Sequence, residues 1–141
     1  MKAILVPVDG SDSAGRAAGF AAKLAEPLGA KLILLHVYDA PTASLLGLAS
    51  MGSDAVHAAL DKVAQASFES AEKAIASASV TLEKKATTGH PFEEIVSHAK
   101  SLGCDLIVMG SRGLSPLQEI MLGSVSDRVL RYAPCAVTIV R

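Results

Sequence analysis

The residues best suited to chemistry lie in one stretch, GSRGLSPLQEIMLGSVS, from Gly110 to Ser126. Gly110, Gly113 and Gly123 are its glycines, and Ser124 and Ser126 are hydroxyls at its end. A phosphate chain needs backbone N–H groups brought close, and a Cβ would block that approach. The final helix is expected to begin just after Gly123, and its exposed N–H groups and positive dipole end would hold phosphate oxygens. Spacing alone leaves a second reading open. The glycines could be ordinary loop residues and Ser124 an N-cap, with Asp127 at capping-box-like spacing.

Other candidate groups are scattered. Asp9-Gly10 closes the first apolar run, where Asp9 could cap a helix, although Ser11, Asp12 and Ser13 are also available for that. His36 sits in an apolar strand, the setting of a satisfied core histidine, whereas His57, His90 and His98 read as surface residues. Glu93 and Glu94 lie at a helix start, where the dipole favours acids. Cys104 and Cys135 lack a second thiol or histidine at metal-ligand spacing and read as free thiols, each at the start of a strand that could neighbour the other. There is no Gly-Lys-Ser/Thr of a Walker A loop, and VDGSDSAG lacks the dinucleotide fingerprint. No Ser/His/Asp or Cys/His nucleophile set stands out, and Glu119 lies in the loop without a defined aim.

These residues need a frame. Residues 3–8, 31–37, 80–87, 105–109 and 135–140 read as strands, the first, second and fourth being nearly continuous apolar runs. Helical stripes lie between them. Ala14, Ala17, Ala18, Ala21, Leu24, Ala25 and Leu28 mark the first, with Gly29 at its C-cap position. Val56, Ala59, Leu60, Val63, Ala71, Ala74 and Ile75 mark the second. Pro91 opens the third, with Phe92, Ile95, Val96, Ala99 and Leu102 on its inner face and Gly103 at its end, and the fourth runs from about Ser124 to Tyr132. Residues 39–53 are aperiodic and read as a long loop. Alternation with right-handed crossovers predicts one domain, residues 1–141, of the α/β class. It is a doubly wound sheet of five parallel strands in the order 3-2-1-4-5, with helices on both faces. The ligand crevice of such a sheet lies where the winding reverses, outside the carboxyl ends of strands one and four. That places Asp9-Gly10 beside Met109-Gly110.

The bulk numbers fit. The chain has 141 residues, half of them apolar, and a formal net charge of -1. Without a concentrated basic surface, nucleic acid is not an expected partner. No apolar run reaches the roughly 20 residues that span a bilayer. Asp9 interrupts the first apolar stretch too early for a signal peptide, so a cytoplasmic address is expected.

GSRG, nine residues, then GS resembles the Gly-x-x-Gly, nine residues, Gly-Ser/Thr signature of ATP-binding universal stress proteins. The opening ILVPVDGSDSA, LLHV at 34–37, CDLIVMGSRG and LGSVSDRVLRYAPCAVTIVR are similar to successive parts of that family, so the resemblance covers essentially the whole chain. It implies the same five-stranded fold, of the adenine nucleotide alpha hydrolase-like kind. It implies ATP or another adenine nucleotide as ligand and a homodimer formed through strand 135–140; a divalent ion such as Mg2+ usually accompanies ATP phosphates, although no dedicated carboxylate cage is visible. By the resemblance, Asp9 contacts the ribose or adenine end with Pro7 and Val8 beside the base, and Val37 offers backbone groups to adenine. Met109 and Gly110 line the ribose and phosphate entry, and Arg112 and Gly113 border the nucleotide. Gly123, Ser124, Val125 and Ser126 cradle the phosphates. The function implied is nucleotide-dependent regulation in the stress response, with an unidentified protein partner. A slow ATPase or phosphotransferase at the same site and a nucleotide-free interaction module are the alternatives.

Overall fold

The computed structural model describes residues 1–39, 52–112 and 122–141. Strands and helices alternate: β1 Ala3–Pro7, α1 Asp12–Leu28, β2 Lys31–Tyr38, α2 Ser53–Ile75, β3 Leu82–Thr88, α3 Pro91–Ser101, β4 Leu106–Gly110, α4 Ser124–Tyr132 and β5 Ala136–Val140. The strands form one parallel sheet in the order β3-β2-β1-β4-β5. This is the doubly wound order that the alternation predicts. Gly113 and nearly all of the 39–53 loop lie outside the described residues.

The apolar runs of β1, β2 and β4 are buried on both faces. Ile4, Val6, Leu32, Leu34, Leu106 and Val108 pack with α1 and α2. Leu5, Ile33, Leu35, Ile107 and Met109 pack with α3 and α4. Helix α1 presents small residues, with Ala14, Ala17, Ala18, Ala21 and Ala25 buried. Small residues let helices lie close, and a Cβ at Gly19 would stand 3.2 Å from the Ala74 carbonyl oxygen on α2. Ser11 caps the start of α1, accepting the Ala14 amide at 3.1 Å, and Gly29 at φ 60 ends it in the left-handed region. Leu28, expected on the inner face, is exposed at the final turn beside that cap.

Helix α2 corrects the predicted stripe. Its buried residues include Ala64, Ser67, Phe68, Ala71 and Ile75, whereas Ala74 is exposed. Ala64, Ser67 and Phe68 interpose a turn that the apolar spacing passed over. His98 is another correction. It is half-buried on α3, its Nδ1 lying 2.8 Å from the Glu94 carbonyl oxygen and 3.6 Å from Glu94 Oε2. Cys104 is buried, Cys135 half-buried, and both are free. Their strands are neighbours, as expected. Burial pushes the Cys104 thiol up to about 11, with Cys135 and Asp105 adding to it.

The two edges of the sheet differ in kind. On β3, Glu83 lies 2.8 Å from both Lys31 and Lys85, and Lys84 lies 2.9 Å from Glu72. The two lysines hold Glu83 down to about 2. On β5 the half-exposed residues are Val137, Thr138, Ile139 and Val140. No helix among the described residues is long and apolar enough to cross a membrane.

Candidate functional site

Three chain ends meet at the carboxyl edge of the sheet, those of β1, β2 and β4. β1 and β4 pair Ile4 with Leu106 and Leu5 with Ile107. Continuing that register sets Val8 beside Gly110, so the Asp9 turn stands next to the end of β4. This is the reversal point of the winding.

The Asp9 turn is built locally. Asp9 Oδ1 accepts the Ser11 amide at 2.9 Å, and Gly10 takes φ 85, a conformation that costs a side-chain-bearing residue. Ser11, not Asp9, caps α1. The Asp9 carboxylate is therefore fixed by the turn, with Oδ2 unpartnered among the described residues. Val8 is buried and Pro7 half-buried beneath it.

Gly110 joins two helices to β4. A Cβ there would stand 2.8 Å from the Ser13 carbonyl carbon and 2.9 Å from its Cβ. Its missing side chain thus makes room for the first turn of α1. Its carbonyl oxygen accepts the Ser126 hydroxyl of α4 at 2.9 Å, and Ser126 is buried. The hydroxyl proton of Ser126 is committed within the protein, which leaves its amide as its remaining donor. Met109 has its side chain in the core against α3 and α4, so only its backbone can face a ligand.

Helix α4 starts one residue earlier than its capping-box spacing suggests. Gly123 is the N-cap and makes no side-chain cap bond, while Ser124 is already the first helical residue. Asp127 donates its amide to the Gly123 carbonyl at 2.9 Å and turns its carboxylate to Arg131 at 3.0 Å. The capping box is thus not formed; the Ser126–Gly110 bond sets where the helix begins. The amides of Ser124, Val125 and Ser126 precede the first intrahelical bond and have no partner in the helix. Ser124 is exposed, Val125 packs partly into the core, and Gly123 is buried. The Gly123 amide donates to the Ser111 carbonyl at 2.8 Å, and the Ser111 amide to Val140 at 2.9 Å. The first bond ties the two ends of the glycine-rich segment to each other, and the second ties Ser111 to β5. Arg112 is half-buried at its entrance.

The end of β2 holds a feature that spacing did not single out. Val8 donates its amide to the Leu35 carbonyl at 2.8 Å, and regular pairing stops at Pro7 with Leu35. The next ladder bond would run from the Val37 amide to the Val8 carbonyl. Instead that carbonyl accepts His36 Nδ1 at 2.9 Å. A carbonyl only accepts, so the neutral ring carries its proton on Nδ1. His36 is buried, edge-on to Tyr38 at 5.0 Å and to Phe68 at 6.4 Å. Burial holds its pKa below the usual histidine value, while the Val8 carbonyl and Asp9 act against that shift. It is a satisfied core histidine, as its apolar strand predicts.

The site therefore offers amide donors at a helix start, a fixed carboxylate opposite, and apolar walls. Ser13 Oγ, buried against Gly110, has no hydrogen-bond partner among the described residues. Anionic oxygens fit the α4 start, and hydroxyl groups fit Asp9. No group of three or more His, Cys, Asp or Glu able to hold a metal occurs among the described residues.

Comparison with known proteins bears on the family and the fold. The universal stress protein family model matches residues 1–141. The universal stress protein YxiE of Bacillus subtilis is 39% identical over 144 residues, covering 98% of this chain and 97% of its own. The solved structure of MJ0577, a universal stress protein of Methanocaldococcus jannaschii, superposes with a TM-score of 0.82 at 30% identity, covering 99% of this chain and 94% of that one. A universal stress protein solved in complex with cAMP has a TM-score of 0.68 at 28% identity, covering 99% of this chain and 96% of that one. The chain belongs to the universal stress protein family.

Proposed function

We propose that this universal stress protein binds an adenine nucleotide, ATP foremost, at the carboxyl edge of its sheet and serves as a nucleotide-dependent regulator in the cytoplasm. The observation that carries the reading is the start of α4. Its amides at Ser124, Val125 and Ser126 lack a side-chain cap and are held at the sheet's reversal point by the Ser126–Gly110 bond. The relative solved with cAMP supports an adenine nucleotide as the ligand class.

In this reading the phosphates lie against those amides, with Gly113 and Arg112 bordering them. Asp9 takes the ribose hydroxyls through Oδ2. The base lies beside Pro7 and Val8, with the Val37 backbone at its edge. Met109 and Gly110 contribute backbone to the floor. Mg2+ enters with the phosphates, whose charge it neutralises.

Mass analysis of nucleotide released from freshly purified protein tests this. Adenine nucleotide at near-stoichiometric amounts is the expected result. Gly123 sits at φ -61 and ψ 151, which valine also adopts, so Gly123→Val should fold and lose the nucleotide. Equal occupancy in the variant would sink the assignment of the cradle.

We further propose a homodimer through β5. Its apolar, half-exposed edge strand lacks the charges that guard β3. Sedimentation at micromolar concentration should give a dimer; a monomer would contradict the proposal.

A further inference from the structure

We propose that His36 is a positioning residue, which stops the β1–β2 ladder and so keeps the Val37 amide open for the ligand's base. The inference rests on the adenine-nucleotide reading for the identity of the ligand, but not for the ladder itself. Four observations carry it. Pairing between β1 and β2 ends at Pro7 with Leu35, although Val8 still donates to Leu35. The bond due next, from Val37 to the Val8 carbonyl, is not made, and His36 Nδ1 occupies that carbonyl at 2.9 Å. On β2, backbone groups face alternate neighbours. Leu35 serves β1, and the Tyr38 carbonyl accepts Gly89 at 3.1 Å beyond β3. Val37 is therefore directed to the β1 side, past the last β1 pair. Finally, the ring is clamped between Tyr38 and Phe68, so the donor is held in one place.

The physical logic is a substitution of one donor for another. A buried carbonyl needs a donor, and an unbridled ladder would take the nearest backbone amide. A side-chain donor from the preceding residue satisfies the carbonyl and releases that amide into the crevice. An amide and its own carbonyl at a strand end can then present a donor and an acceptor to the edge of a flat ring. A side chain of glutamine or serine at position 36 would be free to rotate away; the imidazole, held edge-on between Tyr38 and Phe68, is not.

Two variants with the same branching test the inference. Asparagine keeps an N–H at the position of Nδ1, whereas leucine removes it. The first readout is amide exchange of Val37, followed by NMR in nucleotide-free protein. The expected result is fast exchange in the parent and in His36→Asn, and slow exchange in His36→Leu as Val37 closes onto Val8. The second readout is ATP affinity by calorimetry. His36→Leu should weaken it by about tenfold, the worth of one hydrogen bond, and His36→Asn should recover most of that loss. A Val37 amide already protected in the free parent would overturn the proposal. So would leucine leaving both exchange and affinity unchanged. Should the parent bind no adenine nucleotide while leucine still slows Val37, the nucleotide reading falls and the ladder stop stands.

Discussion

Helices α1 and α4 both begin at the carboxyl edge of the sheet, and they begin differently. At α1 the side chains of the turn take two amides. Ser11 Oγ takes the Ala14 amide at 3.1 Å, and Asp9 takes the Ser11 amide at 2.9 Å. At α4 the N-cap is Gly123, which has no side chain to give. The orphan amides of a helix start are a fixed cost that must be met by caps, water or ligand. At α1 a side-chain cap meets part of that cost, at Ala14, whereas at α4 no side-chain cap bond is made among the described residues. The difference is between a capped helix start and an uncapped one, and the uncapped one is where the phosphates are proposed to lie.

The sharpest test makes α4 resemble α1. Gly123→Asp would supply a cap and place a carboxylate where the phosphates are proposed to lie. ATP affinity measured by calorimetry should fall by about a hundredfold, equivalent to about 2.7 kcal/mol, while thermal stability stays level or rises slightly. Unchanged affinity would dissolve the contrast between the two helices.

Next in size is Gly110→Ala. The added Cβ meets the backbone and side chain of Ser13, so α1 or β4 must shift. Overpacking of this kind costs roughly 1–3 kcal/mol, which urea unfolding would read. Ser11→Ala comes third. Loss of the α1 cap should cost about 1 kcal/mol in stability with nucleotide affinity unaltered. A loss of affinity there would mean that α1 also serves the ligand.

The smallest effect is in the pH dependence. Folded His36 has its pKa held below 6.5, mainly by burial, so the unfolded chain takes up a proton first as pH falls. Stability is therefore lost as pH drops through 6.5 and below. From pH 7.5 to 6.0 this group contributes up to about 0.8 kcal/mol of that loss. The contribution should vanish in His36→Asn, compared by denaturant unfolding at the two pH values.

Much of this was legible in the amino acids. The apolar runs read as strands at 3–8, 31–37 and 105–109 signalled a sheet covered on both faces, and the alternation set the winding order. The reversal of that winding placed the crevice at the ends of strands one and four, beside Asp9-Gly10 and Met109-Gly110. Long-range contacts were not legible. Gly110 looked like a residue for a ligand to approach, yet what approaches it is Ser13, 97 positions away (110 − 13). Gly123 and Ser124 are both acceptable caps, and the bonds that hold the start of α4, Ser126 to Gly110 and Gly123 to Ser111, carry no mark in the local spacing. Phe68 escaped the stripe because Ser67 and polar neighbours broke the apolar rhythm around it. His36 was legible as buried, but its partner was not, since a carbonyl carries no mark in a sequence.

Gly110 is where both helix starts are located. α1 rests on it through Ser13, and α4 is fastened to it through Ser126. In the language of machining it is a common datum: two walls measured from one reference point rather than from each other. A displacement of β4 then carries both walls together, and the gap between them keeps its width. The spacing of the two helix starts is thus tied to one contact and one hydrogen bond at the end of β4.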